Sequence, residues 1–289
     1  MKYFYYPGCS LRGVGKGYEE SWLSVCEKVG IQLEEIEDWN CCGSTTYLGF
    51  DEVKSLVLVS RNLAMVEKRG GTEIIAPCIA CYYLFNRTNH YLSDYPQLKI
   101  EVNKALQQIG LTYSGNVKVR HPLDVLVNDG WMEKISQNIE KRLDRFKAVC
   151  YYGCQILRPY SEFDDPRNPQ NMDILVGLAG VNVLDYPLKT KCCGAIITSN
   201  IPEKGLELVY VLLREAKKRK ADFMVVTCPL CQLNLEAHQE KIMKVYGDDV
   251  KLPILYYSQV LGLAMGISSE KLGILRCLTL TPEFEQVLV

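Results

Sequence analysis

The chain has 289 residues, with 33 Lys and Arg against 34 Asp and Glu and a net charge of −1. That length suits one large domain or two of about 150 residues, and the even charge leaves no broad cationic face for a nucleic-acid backbone or an anionic bilayer. Thirteen cysteines against three histidines favour sulfur-only metal sites over mixed Cys/His ones.

The opening MKYFYYPGCS has no charged n-region, apolar h-region or cleavage site, so the thiols are expected in the reducing cytoplasm, where they stay unpaired. Its KYFYY reads as a strand. Trp22, Cys26 and Val29 mark one apolar face of a helix, and IQLEEI alternates like a short strand. NCCGS follows at 40–44, then a helix over 51–68, the strand EIIAP and the pair CIAC at 78–81. The strand-like VKVR leads to His121. After the charged stretch WMEKISQNIEKRLDRFK come AVCYY, a helix opening at Asn168-Pro169, the strand VNVLDY, KCCGA at 191–195, a helix over 202–219, the strand FMVVT and CPLC at 228–231. LPILYYSQVLGLAMGI is the most apolar late segment, but proline, serine and glutamine interrupt it and it falls short of the roughly 20 residues of a spanning helix. It is read as core.

The second half repeats the first. YYPGCSL recurs as YYGCQIL, NCCGS as KCCGA, and KRGGTEIIAPCIAC as KRKADFMVVTCPLC, in the same order; three ordered matches define a tandem duplication. The expected domains are 1–146 and 147–289, meeting in the charged stretch. The expected fold class is α/β, two related domains each built on a small parallel sheet with crossover helices. Cys9, Cys41-Cys42 and Cys78 each come soon after a strand, as do Cys154, Cys192-Cys193 and Cys228. In an open parallel sheet all strand carboxyl ends lie on one edge, where ligands collect.

Each half thus gathers five sulfurs, spaced Cys-x31-Cys-Cys-x35-Cys-x2-Cys and Cys-x37-Cys-Cys-x34-Cys-x2-Cys. Cys78 and Cys81, like Cys228 and Cys231, share a face if a helix starts there; Pro229 suits its first position, and the helix N-terminus favours thiolate. Neighbouring side chains of an extended strand point apart, so both sulfurs of a Cys-Cys pair face one object only at a turn, which Gly43 and Gly194 permit. A zinc ion takes four ligands and a cubane cluster four cysteines; a fifth thiolate calls for a larger, extended cluster. A thioredoxin-like reading of CIAC and CPLC leaves both Cys-Cys-Gly sites without a role. A scaffold holding two structural zinc ions is a further alternative.

The doubled signature resembles the cysteine-rich, or CCG, domain duplicated in the catalytic B subunit of the heterodisulfide reductases of methanogens, across nearly the whole chain; the second half departs at x34. The resemblance implies two noncubane [4Fe-4S] clusters, one on Cys9, Cys41, Cys42, Cys78 and Cys81 and one on Cys154, Cys192, Cys193, Cys228 and Cys231. It implies reductive cleavage of the coenzyme M–coenzyme B disulfide to two thiols. Partners would be the flavin-containing and the ferredoxin-like subunits of heterodisulfide reductase and a hydrogenase feeding electron bifurcation. The same domain also occurs in lactate- and glycolate-oxidising complexes, thiol:fumarate reductase and some succinate dehydrogenases. The anionic substrate would need cations, for which Arg12, Arg87, Arg158 and Lys191 are candidates.

Three residues complete the reading of the thiols: Cys26, Cys150 and Cys277 have no counterpart in the other half and read as small buried hydrophobes. His121 is a candidate proton donor to a leaving thiolate, against the alternative of a helix-start histidine bonded to backbone. Glu37 and Asp38 precede the first Cys-Cys pair, while Lys189 and Lys191 flank the approach to the second. Positive surroundings raise a cluster's potential, so the second cluster is expected to be the easier one to reduce.

Overall fold

The computed structural model describes residues 2–44, 47–281 and 284. It contains two four-stranded sheets, parallel throughout. The first uses β1 (Lys2–Tyr5), β2 (Gln32–Glu35), β3 (Glu73–Ile75) and β4 (Lys118–Arg120) in the order β2-β1-β3-β4. The second repeats it with β5 (Lys147–Tyr151), β6 (Asn182–Leu184), β7 (Phe223–Val226) and β8 (Ile254–Tyr256) as β6-β5-β7-β8. The expected α/β duplication is present. The late apolar segment supplies β8 and the helix after it, Tyr257–Ala264, buried at every position. β7 is likewise buried at all four residues, the continuous apolar run of a parallel strand covered on both faces.

Local chemistry explains the main helices. Glu52–Lys68 begins where the Asp51 carboxylate accepts from Lys54 N at 3.0 Å, an N-cap that satisfies an orphan donor. Leu56, Val59, Leu63 and Val66 then recur at helical spacing and are buried. Its counterpart Pro202–Lys218 opens on proline, closes on Lys217 and Lys218, and buries Leu206, Val209, Leu213 and Ala216. Both ends suit the helix dipole and the free N–H groups of the first turn. The helix expected to open at Asn168-Pro169 instead runs Asn171–Leu178. Asp164 ties down that approach by accepting from Gln170 N and Asn171 N. Part of the charged stretch is also ordered: Trp131–Gln137 is a helix that buries Trp131 and Ile135.

Two compact units result, Met1–Cys9 with Ile31–Val125, and Ser10–Gly30 with Leu126–Val289. The 146/147 division is one of sequence repeat, whereas the compact units are drawn through the chain elsewhere. The helix Lys16–Val29, between β1 and β2 in sequence, belongs to the second unit and packs on Tyr257–Ala264. Ser21 Oγ meets Ser258 Oγ at 2.7 Å, Tyr18 OH donates to Tyr257 OH at 3.2 Å, and the Tyr18 ring stacks on Tyr256 at 4.6 Å. Among the described residues no helix is long and apolar enough to cross a membrane.

Candidate metal centres

In each unit the five sulfurs collect beyond the carboxyl ends of the strands. Cys9 sits in a single helical turn, Gly8–Leu11, after β1, and Cys41-Cys42 in the loop after β2. Cys78 caps the helix Ile79–Asp94 after β3 and Cys81 lies in its first turn. The second unit places Cys154 after β5, Cys192-Cys193 after β6, Cys228 at the N-cap of the helix Pro229–Ala237, and Cys231 inside it. Pro229 takes the first helical position as expected, and Cys228 Sγ accepts from Cys231 N at 3.5 Å.

The sulfurs form a chain of contacts. Cys9 Sγ lies 3.5 Å from Cys41 Sγ, and Cys42 Sγ 3.2 Å from Cys81 Sγ; Cys81 also meets Cys78. The second set repeats this, Cys154 meeting Cys192, Cys193 Sγ 3.4 Å from Cys231 Sγ, and Cys231 meeting Cys228. Among the described residues no three His, Cys, Asp or Glu side chains surround a single metal-ion position. Within each set the deep sulfurs are buried, while Cys9 and Cys41, and likewise Cys192, are exposed and Cys154 half-buried. Both quintets therefore open to the surface on the side of the first cysteine and the leading member of the Cys-Cys pair.

These contacts divide the thiols into acidic and basic members. Contact with Cys41 and then Cys81 holds Cys42 well below the ordinary thiol range despite its burial. Cys192 is drawn down to about 6, first by Cys154 and then by Gly194 N–H and Arg158. Cys193 is lowered chiefly by Cys231. Cys81 and Cys231 are pushed up, first by contact with Cys42 and Cys193 respectively. Each set thus holds thiols ready to lose a proton, the form that binds metal.

Glycines make the room. Gly43 and Gly194 have φ of +76° and +79°, a left-handed turn that costs other residues about 1 kcal/mol or more. Their N–H groups point back to Cys41 Sγ at 3.4 Å and Cys192 Sγ at 3.3 Å. A Cβ on Gly8 would meet Cys81 Sγ at 3.2 Å, and one on Gly153 would meet Cys231 Sγ at 3.4 Å. The space beside these sulfurs is kept free in both units. Five thiols, no competing carboxylate in the contact chain and glycine-lined space fit a sulfur-ligated cluster in each unit.

Sequence reasoning passed over two tyrosines. Tyr6 and Tyr151 are buried among the sulfurs and feel their charge: burial first, then the Cys81 and Cys231 sulfurs, push the phenols far up. Tyr6 OH donates to Asn40 O at 2.9 Å and Tyr151 OH to Lys191 O at 2.6 Å, each the residue before a Cys-Cys pair. The repeated Tyr-Tyr before Gly-Cys was the available signal.

Other candidates are placed differently from expectation. His121 is fully buried, accepts from Leu123 N at Nδ1 over 3.1 Å and lies with Nε2 3.2 Å from Pro77 O. With Nδ1 accepting, Nε2 carries the hydrogen. Burial drops its pKa to about 3, and the ring binds backbone on both sides, at Leu123 N and at the residue before Cys78. Arg12 pairs with buried Glu19 at 3.2 Å in the second unit, and Arg87 with Glu52 while lying over Tyr91. Arg158 donates to Thr190 O and acts on Cys192 by its charge, and Lys191 is exposed. Lys189 is not a free charge: its ammonium is buried, 2.8 Å from Asp173 and 3.0 Å from Pro169 O. Asp38 likewise pairs with Arg61. Cys26 and Cys150 are buried hydrophobes as read, whereas Cys277, half-buried, donates to Glu236 Oε1 at 2.6 Å.

Fold and sulfur sets together define a duplicated α/β protein with a five-cysteine centre in each half. The chain belongs to the family of the cysteine-rich domain, CCG, which matches residues 3–86 and 148–236. It is 31% identical over 274 residues to the B subunit of a ferredoxin/F420H2-dependent CoB-CoM heterodisulfide reductase of Methanosarcina acetivorans, covering 93% of this chain and 91% of that one. It is 30% identical to a protein of Archaeoglobus profundus described as like the B subunit of heterodisulfide reductase, over 94% of this chain and 93% of that one. The 8-methylmenaquinol:fumarate reductase membrane anchor subunit of Wolinella succinogenes is 29% identical over 94% of this chain and 95% of its own. A hypothetical protein from Helicobacter pylori shares the fold at 16% identity with a TM-score of 0.74, across 98% of this chain and 52% of that one.

Proposed function

We propose that the chain is an iron–sulfur subunit of a reductase complex, that each sulfur quintet holds a noncubane [4Fe-4S] cluster, and that its substrate is the coenzyme M–coenzyme B disulfide. The overall change is one disulfide, two electrons and two protons giving two thiols. The observation that carries this reading is the pair of five-sulfur sets, one sulfur more than a cubane or a zinc ion takes, in a chain similar at full length to the B subunits of heterodisulfide reductases. A bound cluster would supply electrons and an iron at which sulfur is received. The chain's own part is to present Cys9 and Cys41, and Cys154 and Cys192, at the accessible side. Arg158 and Lys191 stand at the second of these openings and suit the anionic ends of the substrate; Arg12 is committed first to Glu19. The flavin-containing and ferredoxin-like subunits of a heterodisulfide reductase, together with a hydrogenase, are the proposed electron partners. Thirteen unpaired thiols fit the cytoplasm.

A second reading keeps the clusters and changes the complex. The Wolinella relative belongs to a fumarate reductase, so an electron-transferring subunit of such a complex is the alternative. Oxygen-free protein is expected to contain about eight irons per chain, four per cluster, where two zincs would mark a scaffold. Anaerobic EPR with and without the heterodisulfide separates the rest: a new signal that one thiol product perturbs supports disulfide chemistry, and a response to fumarate alone supports the second reading.

With Asp38 and Lys189 each paired, the charge difference between the openings comes down to Glu37 against Arg158 and Lys191. The second cluster is still expected to titrate at the higher potential, and a redox titration resolving two signals in the opposite order refutes that ranking.

A further inference from the structure

Each Cys-Cys-Gly turn is held at its start by a tyrosine from the central strand's exit. Tyr6 directly follows β1 and Tyr151 ends β5, each three residues before the first cysteine of its set, and each hydroxyl donates to the carbonyl immediately before the Cys-Cys pair. Three residues further on, at the glycine, the N–H returns to the sulfur of the first cysteine, at 3.4 Å in one unit and 3.3 Å in the other. The turn is therefore pinned at its entry by the phenol and closed at its exit by an N–H···S hydrogen bond. Unpinning the entry carbonyl lets the turn swing, and the first thing lost is the alignment of that N–H with the sulfur.

Hydrogen bonds to cluster sulfurs raise reduction potential because they stabilise the more negative, reduced state. We propose, resting on the assignment of a cluster to each quintet, that Tyr6 and Tyr151 are positioning residues that tune the two clusters separately by aiming the Gly43 and Gly194 N–H groups at Cys41 and Cys192. They do not touch the reacting sulfur of a substrate, and neither phenol loses its proton in this role.

The two pins are unequal. Asn40 O also accepts from Asn62 Nδ2 at 3.0 Å, Asn62 Oδ1 accepts from Asn40 N at 3.0 Å, and Arg61 binds Asn40 Oδ1 at 3.0 Å. The first turn is held even without its tyrosine. Among the described residues Lys191 O has the Tyr151 hydroxyl as its single side-chain donor. The second turn is also supported around that point, by Arg158 on Thr190 O and by Asn234 Nδ2 on Cys193 O at 2.9 Å, but its entry carbonyl depends on the phenol, so removing the second phenol should have the larger effect.

The test is Tyr151→Phe and Tyr6→Phe in the full chain, loaded with iron and sulfide anaerobically, with iron content, EPR-monitored redox titration, and the deuterium coupling of the exchangeable amide near each cluster as readouts. Expected are wild-type iron in both variants, a shift of the second cluster to more negative potential in Tyr151→Phe with a weaker deuterium coupling there, and a smaller shift of the first cluster alone in Tyr6→Phe. Unchanged potentials and couplings in both variants overturn the proposal, as does loss of iron in either, which would make the phenol a structural strut only. A wild-type chain that takes up no iron sinks the cluster assignment itself, a different failure that the wild-type control registers before either variant is read.

Discussion

Replacing Cys42 by alanine is expected to abolish the first cluster's EPR signal and halve the iron content, and Cys193→Ala to do the same for the second. Both sulfurs are buried at the middle of the contact chain, 3.2 Å from Cys81 and 3.4 Å from Cys231. Cys42 is held below the usual thiol range by Cys41 and then Cys81, and Cys193 by Cys231. Losing one of them removes a readily ionised donor and breaks the chain in two, so four sulfurs are left in a geometry shaped for five. With the proposed disulfide, which takes two electrons, as substrate, turnover should fall about a hundredfold in either variant, the upper end of what losing a metal ligand's supporting partner costs. Because the sets lie in separate compact units, each variant should keep the other cluster's signal. Full iron and full turnover in Cys42→Ala would reduce the adjacent pair to one working ligand.

The second large effect is on stability. Lys189→Ala is expected to destabilise the protein by about 3–5 kcal/mol, the usual consequence of stripping one member from a buried ion pair. Lys189 and Asp173 side chains are 7% and 15% exposed, too dry for water to replace the lost partner. Asp173 also accepts from Tyr152 OH at 2.6 Å, and the Lys189 ammonium lies over the Tyr152 ring. The carbonyl of Lys189 takes the N–H groups of Tyr152 and Gly153 at 2.9 and 3.1 Å, the stretch that leads into Cys154. The network thus secures the path from β5 to the second quintet. Urea denaturation checks the figure, and the double variant Lys189→Met, Asp173→Leu should recover much of the loss, since an apolar pair leaves no unpartnered charge. A single variant within 1 kcal/mol of wild type would mean the pair is solvated.

What could be read from the chain followed from periodicity and repetition. The alternation of strands and helices, the ten sulfurs and their place after strands are local or repeated signals, and they reappear in the structure. The late strand β8 escaped because Ile254–Tyr256 is embedded in an apolar run that also forms the next helix, and such a run does not show where one ends. Charges misled for a related reason. Lys189 and Asp38 look free beside their cysteines, but Asp173 and Arg61, their partners, stand many residues away on other elements, and pairing of that kind leaves no mark in the local pattern. The tyrosines show the same limit. Their repetition was visible, yet the carbonyls they bind, Asn40 and Lys191, lie on the neighbouring strand's exit and enter only with the sheet order.

The segment Ser10–Gly30 bears on the history of the duplication. Its helix is encoded in the first repeat yet seals the Tyr257–Ala264 helix of the second unit through Ser21 and Tyr18, while Glu20 grips Arg276 further along at 2.8 Å. Severing the gene between the repeats would strand that helix on the wrong fragment and leave an oily scar on the other. Repetition made the halves alike, yet the second compact unit is completed only by a helix encoded in the first.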